Sequence, residues 1–141
     1  MIYERNSKYK KFQKRRLKGF NVKKTFSKVK FGGYYVKSLE TGILTALHLE
    51  TLRRIIVRET GRKSKIWFRV KPTRVFSSKK KLERMGKGKG KPRCWVFCIK
   101  AGQILFEFED IFFNTNLSKL DNNLNSKLPF KIKLFKNRFF E

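Results

Sequence analysis

The positive charge of this sequence sets the main limit on its fold, because it is concentrated in two stretches that lack apolar periodicity. Residues 1–30 and 73–93 hold more than half of the 37 lysines and arginines, against ten acids in all 141 residues. With a formal net charge of +27, repulsion among the basic side chains destabilises a compact domain unless a polyanion lies beside it. We therefore expect a folded core with two basic extensions and a phosphate-rich partner.

The charge coexists with enough apolar material for one hydrophobic core. Hydrophobic residues make up 40% of the sequence and aromatic residues 15%, and 141 residues suit a single domain. The longest apolar run, Cys94–Ile99, is far shorter than the roughly 20 residues that cross a bilayer, and no signal-peptide pattern opens the sequence. We expect a soluble chain with one domain over residues 31–141 and no membrane partner.

Residues 1–30 have the composition of an arm that becomes ordered on RNA. They carry twelve basic side chains and one acid, Glu4, and their aromatic residues are isolated instead of forming a periodic apolar face. The candidate contacts of this basic arm with RNA phosphates are Lys8, Lys10, Lys11, Lys14, Arg15, Arg16, Lys18, Lys23, Lys24 and Lys28.

The first half of the core carries local signals for two strands and one helix. Aromatic and β-branched residues after a Gly-Gly pair predict a strand within 31–40, and alternation over 65–71 predicts a second strand. Thr45 as N-cap and Gly61 as stop signal predict a helix between them. The candidate RNA-binding residues of the helix, and of the segments after it, are Arg53, Arg54, Arg58, Arg62, Lys63, Lys65, Arg69 and Arg74.

Residues 73–93 show little apolar periodicity and predict a long basic loop. Glycines that alternate with lysines let the backbone approach a phosphate without a Cβ in the way. Composition alone also allows a second interpretation, in which these residues form a solvated flexible linker. A nucleotide-binding P-loop does not fit, because no Ser or Thr follows a Gly-Lys pair. The candidate RNA-facing residues are Lys79, Lys80, Lys81, Arg84, Met85, Gly86, Lys87, Gly88, Lys89, Gly90 and Lys91.

The second half of the core predicts a β-hairpin over 93–100 and 103–109, a helix over about 116–128 and a final strand over 130–135. Leucines three and four residues apart define the helix, and Pro129 ends it. The order of elements predicts an α+β fold, a two-layer α/β sandwich with two main helices packed on an antiparallel or mixed sheet.

No constellation for catalysis or metal binding is visible in the sequence. His48 is the sole histidine and is expected on the helix surface, while Cys94 and Cys98 lie roughly 13 Å apart along a strand, too far for a disulfide. Glu107, Glu109 and Asp110 lie together near a strand end and are best explained by solvation or by pairing with nearby lysines. The two tryptophans are expected in the sheet core instead of stacked on bases. We expect no enzyme activity, cofactor, metal or small-molecule substrate.

Three segments, KIWFRVKP (65–72), ERMGKGKG (83–90) and CWVFCIKAGQILFEF (94–108), resemble the universal large-subunit ribosomal protein family that is numbered sixteen in bacteria. The resemblance covers nearly the whole chain in collinear order. It implies a sandwich lodged between helices of large-subunit ribosomal RNA, beside the aminoacyl-site tRNA, with residues 84–90 reaching toward the peptidyl-transferase region. It also implies neighbouring ribosomal proteins as partners and a role in late subunit assembly.

The sequence departs from the family pattern at two places and leaves some alternatives open. The family usually has Gln where His48 stands, and an alanine-rich second helix where residues 114–125 are rich in Asn. Frequent Phe, Lys, Asn and Ile are typical of an A+T-rich genome, and the chain starts almost directly at the basic arm. We expect a mitochondrial ribosome, with a plastid or bacterial cytoplasm as alternatives. An architectural nucleoid protein and an RNA-modifying enzyme are the competing function classes.

Overall fold

The computed structural model describes residues 11–13, 28–86, 88–109 and 117–137 of the protein. Within these ranges the elements follow in the order β1 (Tyr34–Ser38), β2 (Gly42–Thr45), α1 (Ala46–Glu59), β3 (Ile66–Phe68), β4 (Arg74–Ser78), β5 (Lys91–Ile99), β6 (Ile104–Phe108), α2 (Leu117–Asn125) and β7 (Ile132–Lys136). The strand pairs of the described chain are all antiparallel. The predicted α+β class is confirmed.

The strands form two sheets, one with the order β3-β6-β1-β7 and one with the order β2-β5-β4. The prediction that β5 and β6 pair as a hairpin is therefore wrong, because their connecting turn carries the chain from one sheet to the other. In that turn the Gly102 amide donates to the Ser38 carbonyl at 2.7 Å. All five residues of β6 are buried, so β6 needs a partner on each edge, and β1 and β3 supply them.

The prediction of one long loop over 73–93 is wrong at both ends, where β4 and the start of β5 pair with each other. Val75 is buried while Phe76 and Ser78 are exposed, so β4 is a short edge strand whose alternation is hidden among polar residues. The loop is shortened to residues 79–90, the Gly/Lys loop. A Cβ on Gly90 would lie 2.5 Å from the Ser78 carbonyl group, so only glycine fits where the loop rejoins the sheet.

Helix α1 begins and ends as predicted. The Thr45 hydroxyl accepts from the His48 amide at 3.4 Å, and His48 Nδ1 accepts from the Thr45 amide at 3.3 Å, which makes a capping box. The sequence did not reveal this role of His48, because Glu or Gln is usual at that position of the box. At the other end, Gly61 and Arg62 both have left-handed backbone, with φ of 58° and 65°.

Other boundaries differ modestly from the predictions. The strand predicted over 65–71 is regular only as β3, the helix predicted to 128 ends at Asn125, and β7 lies about two residues later than predicted. Strand β2 was not predicted, since four residues are too few for a visible period. The predicted first residue of α2, Asn116, lies outside the described residues.

The core fills the space between the two helices and the sheets. Its fully buried side chains include Leu52 and Ile56 of α1, Leu120 and Leu124 of α2, and Phe97, Phe106 and Phe108 of the strands. The two tryptophans are less buried than predicted. Trp67 is half-buried and stacks on Phe31 with ring centroids 5.9 Å apart, and Trp95 is half-buried in β5.

Polar residues of α2 cover β7, which is an edge strand of its sheet. Asp121 Oδ1 accepts from the Leu134 amide at 3.1 Å, and Asn125 Oδ1 accepts from the Ile132 amide at 2.8 Å. These bonds satisfy edge amides that would otherwise recruit another strand. The polar side chains of this asparagine-rich helix thus have a structural use.

A buried carboxylate attaches the end of the basic arm to the first sheet. Glu107 on β6 is 0% exposed, and its Oε2 accepts from the amides of Lys30, Phe31 and Gly32 at 3.0, 2.6 and 3.2 Å. Its Oε1 accepts from Arg69. The expectation that Glu107 is solvated or paired with lysine is therefore wrong, because the glutamate points into the protein and meets an arginine and three amides.

Two glutamates two residues apart allow a direct test of this buried site. We expect Glu107→Gln to lower the free energy of unfolding by about 3–5 kcal/mol, because it leaves Arg69 without its buried counter-charge. Glu109→Gln should cost at most about 1 kcal/mol, because Glu109 is partly exposed and its oxygen lies 3.8 Å from Lys65 Nζ. Urea unfolding followed by circular dichroism measures both, and equal costs would contradict the role of Glu107.

Candidate nucleic-acid interface

The structure places most of the described candidate cations in three regions: the end of α1, the Gly/Lys loop, and the arm segments 11–13 and 28–30. Lys63, Lys65, Arg69 and Arg74 lie between α1 and the start of β4. The candidates that lie outside the described residues are Lys8, Lys10, Lys14, Arg15, Arg16, Lys18, Lys23, Lys24 and Lys87.

Four arginines gather around the end of α1 and line one groove of about 420 Å³, the arginine groove. The 3.6-residue helical period brings the α1 arginines to neighbouring positions, and the turn at Gly61 brings the next arginine back beside them. That turn is a Schellman motif, in which the Arg62 amide donates to the Val57 carbonyl at 2.9 Å. The lining residues are Arg53, Arg54, Val57, Arg58, Gly61 and Arg62.

Glu50 holds two of these guanidinium groups in place. Arg53 donates to both of its oxygens, at 2.9 and 2.7 Å, and Arg54 donates at 3.1 Å. The hydrogen bond from Arg53 is the main cause that lowers the pKa of Glu50 from 4.5 to about 2. One carboxylate against four arginines leaves the groove positive, with planar donors suited to phosphate oxygens.

The candidate cations that come after the arginine groove in the sequence differ in how exposed they are to a binding partner. Lys63 is exposed, and Lys65 is exposed with Glu109 nearby. Arg69 is different, because its side chain is only 15% exposed and its guanidinium is bound to Glu107. It also donates to the Lys28 carbonyl at 3.5 Å. The structure therefore uses Arg69 inside the protein and does not bring it to the surface with the other candidates.

The Gly/Lys loop extends basic and apolar side chains into solvent. Leu82 and Met85 are both 97% exposed, and the candidate cations Lys80, Lys81, Arg84, Lys89 and Lys91 are exposed beside them. Lys79 donates to the Gly86 carbonyl, which ties one side of the loop to the other. Gly86 and Gly88 have φ of 98° and 81°, and open space surrounds both, so a close surface can approach the backbone there.

A second groove, of about 520 Å³, lies between α2 and the start of β7, and is lined by both apolar and polar residues including Glu40 and Lys131. It has no cluster of cations. Among the residues that the structure describes, no group of three or more His, Cys, Asp or Glu side chains is placed to hold a metal ion. No helix of the described chain is both long and apolar enough to cross a membrane.

Comparison with known proteins gives the family. A profile described as "Ribosomal protein L16p/L10e" matches residues 4–135. The chain belongs to the ribosomal protein L16p/L10e family. Large ribosomal subunit protein uL16c of Cyanidium caldarium is 37% identical over 141 residues, covering 99% of this chain and 98% of that protein. Large ribosomal subunit protein uL16m of Prototheca wickerhamii is 40% identical over 132 residues, covering 93% of this chain and 95% of that protein.

Membership of this family confirms the resemblance that the sequence showed. Proteins of the L16p/L10e family are structural components of the large ribosomal subunit and not enzymes. Ribosomal RNA and other ribosomal proteins are the partners that follow from this role. The predicted absence of catalytic function thus follows from the family.

The pKa of Glu50 tests the geometry of the arginine groove. We expect an NMR titration of the Glu50 carboxyl carbon to give a pKa of about 2, and Arg53→Gln to raise it further toward 4.5 than Arg54→Gln does. Because the folded pKa lies below the ordinary value, the pairing stabilises the fold above pH 4.5. That stabilisation is lost as the pH falls toward about 2. An unshifted pKa in the wild type would show that Glu50 does not hold these arginines.

Proposed function

We propose that this L16p/L10e family member binds large-subunit ribosomal RNA through the basic arm and the arginine groove, and presents the Gly/Lys loop to aminoacyl-site tRNA near the peptidyl-transferase centre. A role in late subunit assembly is part of the same proposal. The observation that carries it is the four-arginine groove, because it is a formed, concave and positive surface on a rigid helix. Family membership supplies the ribosomal context.

The groove suits the backbone of folded RNA better than a single small anion. Arginine presents planar donors that meet phosphate oxygens two at a time, and four such groups around one concavity match successive phosphates. The C-terminal end of α1 also favours cations, since the helix dipole is negative there. The predicted residues Arg53, Arg54, Arg58 and Arg62 therefore remain our candidates for contact with ribosomal RNA.

The Gly/Lys loop suits a partner that arrives and leaves. Its side chains project from the two-stranded base formed by β4 and β5, and its positive-φ glycines leave the backbone accessible. Two nearly fully exposed apolar side chains, Leu82 and Met85, offer packing surface for bases or riboses next to the cations. These features support contact with tRNA, and the arm and core then serve as the anchor.

We propose the mitochondrial ribosome as the site of action. The two relatives are organellar ribosomal proteins, one mitochondrial and one of the chloroplast, which supports an organellar ribosome. The A+T-type composition agrees with an organelle genome. Sedimentation of the tagged protein with mitochondrial ribosomes, and not with plastid ribosomes, would separate the two compartments.

The salt dependence of RNA binding tests the groove. For Arg53→Gln/Arg58→Gln/Arg62→Gln we expect the slope of log K against log salt, on large-subunit ribosomal RNA, to fall by about 2–3, since each lost phosphate contact removes roughly 0.7–0.9. The control Lys119→Gln/Lys127→Gln/Lys131→Gln removes the same charge from exposed positions around α2. An equal fall in both triple variants would mean that net charge, and not the groove, determines binding.

The loop is tested with three exposed cations at its tip. We expect Lys80→Ala/Lys81→Ala/Arg84→Ala to sediment with large subunits as the wild type does, and to weaken tRNA binding in the aminoacyl site at least tenfold. Loss of sedimentation would place the anchor in the loop. Unchanged tRNA binding would exclude the loop as the tRNA contact, and a wild type that never sediments with large subunits would overturn the proposed function.

A further inference from the structure

The short described piece of the basic arm, residues 11–13, lies against the Gly/Lys loop. Lys89 Nζ donates to the Phe12 carbonyl and, at 3.3 Å, to Gln13 Oε1. In return, Lys11 Nζ donates to the Lys89 carbonyl at 3.2 Å. Arg74, at the start of β4, donates to the Gln13 carbonyl at 3.0 Å. Four hydrogen bonds thus join two segments whose residues are 61 to 78 positions apart in the sequence.

The acceptors in this contact are all neutral oxygens. A carbonyl or amide oxygen orients an ammonium or guanidinium group but does not cancel its charge, whereas the carboxylate of Glu50 does so in the arginine groove. The contact therefore brings Lys11, Arg74 and Lys89 together with their charges undiminished. Their mutual repulsion makes the site an attractive place for an anion.

The loop side of this contact has a fixed position. Gly90 lies so close to the Ser78 backbone that a Cβ would approach it to 2.5 Å, and Lys91 pairs with Ser78 in the sheet. Arg74 lies at the other end of the same strand β4. The arm segment is therefore held at two points, one at Arg74 on β4 and one at Lys89 in the loop, two residues before β5.

We propose that residues 11–13 form a latch that fastens this part of the basic arm to β4 and the Gly/Lys loop, so that residues 11–13 and the loop make one continuous cationic surface for an RNA phosphate backbone. The latch itself is independent of the proposed function, whereas its RNA ligand rests on it. The consequence is that residues 11–13 position the loop, so a change that breaks the latch alters phosphate binding on both sides of it.

The latch is tested in the free protein by chemical cross-linking. A short amine-reactive reagent and mass spectrometry measure the yield of the Lys11–Lys89 cross-link. Lys37 and Lys133 lie opposite each other on β1 and β7 and give an internal reference. We expect Arg74→Gln to lower the Lys11–Lys89 yield at least threefold and to leave the reference unchanged.

Arg93→Gln is the matched variant, because Arg93 is exposed on the neighbouring strand β5 and carries the same charge. It should leave both cross-links at the wild-type yield. A Lys11–Lys89 yield that is equal in wild type and Arg74→Gln, or that falls equally in both variants, would overturn the latch. A fall in the reference cross-link would reveal unfolding. Gln13→Ala, which changes no residue of a strand and removes the side-chain acceptor of Lys89, would then replace Arg74→Gln.

The ligand is tested with oligouridylate as the probe. If arm and loop act as one surface, Arg74→Gln should lower the slope of log K against log salt by more than about 1.4, the value for two phosphates of a single strand. Arg93→Gln should lower it by at most about 0.7. If Arg74→Gln loses the Lys11–Lys89 cross-link but has the same salt slope as the wild type, the latch exists and has no role in RNA binding. Because the cross-link needs no RNA, its failure is distinguishable from failure of the proposed function.

Discussion

The carboxylate of Glu107 is fully buried in the middle strand pair of the larger sheet, in a chain that carries 37 cations. Removing a carboxylate from water is costly unless charge and hydrogen bonds replace the water. Arg69 and the three amides of residues 30–32 do so here. The same bonds fix the direction in which the basic arm joins the core, and Arg69 also lies over the ring of Phe31, 5.5 Å from its centroid.

The position of residues 30–32, where the arm joins the core, thus depends on an interaction inside the protein. The residue after β3 contributes as well, because the Arg69 amide donates to the Leu105 carbonyl at 2.9 Å and keeps the arginine beside β6. Gly32 passes so close to Phe108 that a Cβ would lie 2.5 Å from its carbonyl oxygen. Close backbone approach, a buried ion pair and an aromatic stack together make the root of the arm rigid.

Local signals predicted the elements of the fold better than their pairing. Thr45, Gly61 and the leucines of α2 act within one or two helical turns, so the sequence is sufficient to place both helices. Whether β5 pairs with β6 depends on competition among all the strands, which no local pattern contains. Strand β4 was missed because an edge strand needs only one buried side, and Val75 is its sole buried residue.

For the candidate site, the sequence predicted which residue types matter but not what each one contacts. Arg69 was expected at the surface, and only the partner 38 residues away, Glu107, explains why it is inside. The capping role of His48 had a weak local signal, since it stands at the position of the capping box that normally holds Glu or Gln. The contact between arm and loop joins segments more than 60 residues apart, and no local sequence pattern indicated it.

The basic surface has two kinds of region, which differ in the hydrogen-bond acceptors that their cations meet. In the arginine groove the Glu50 carboxylate binds the guanidinium groups of Arg53 and Arg54. It neutralises part of the positive charge and fixes the orientation of both groups. At the latch the acceptors are carbonyl and amide oxygens, so the full charge remains. Four arginines less one carboxylate in the groove, and the three cations of the latch, each leave a net charge of about +3, so counterion release alone favours neither surface. The groove, with its held guanidinium planes, should contribute more of the orientation, because fixed donors select one arrangement of phosphates.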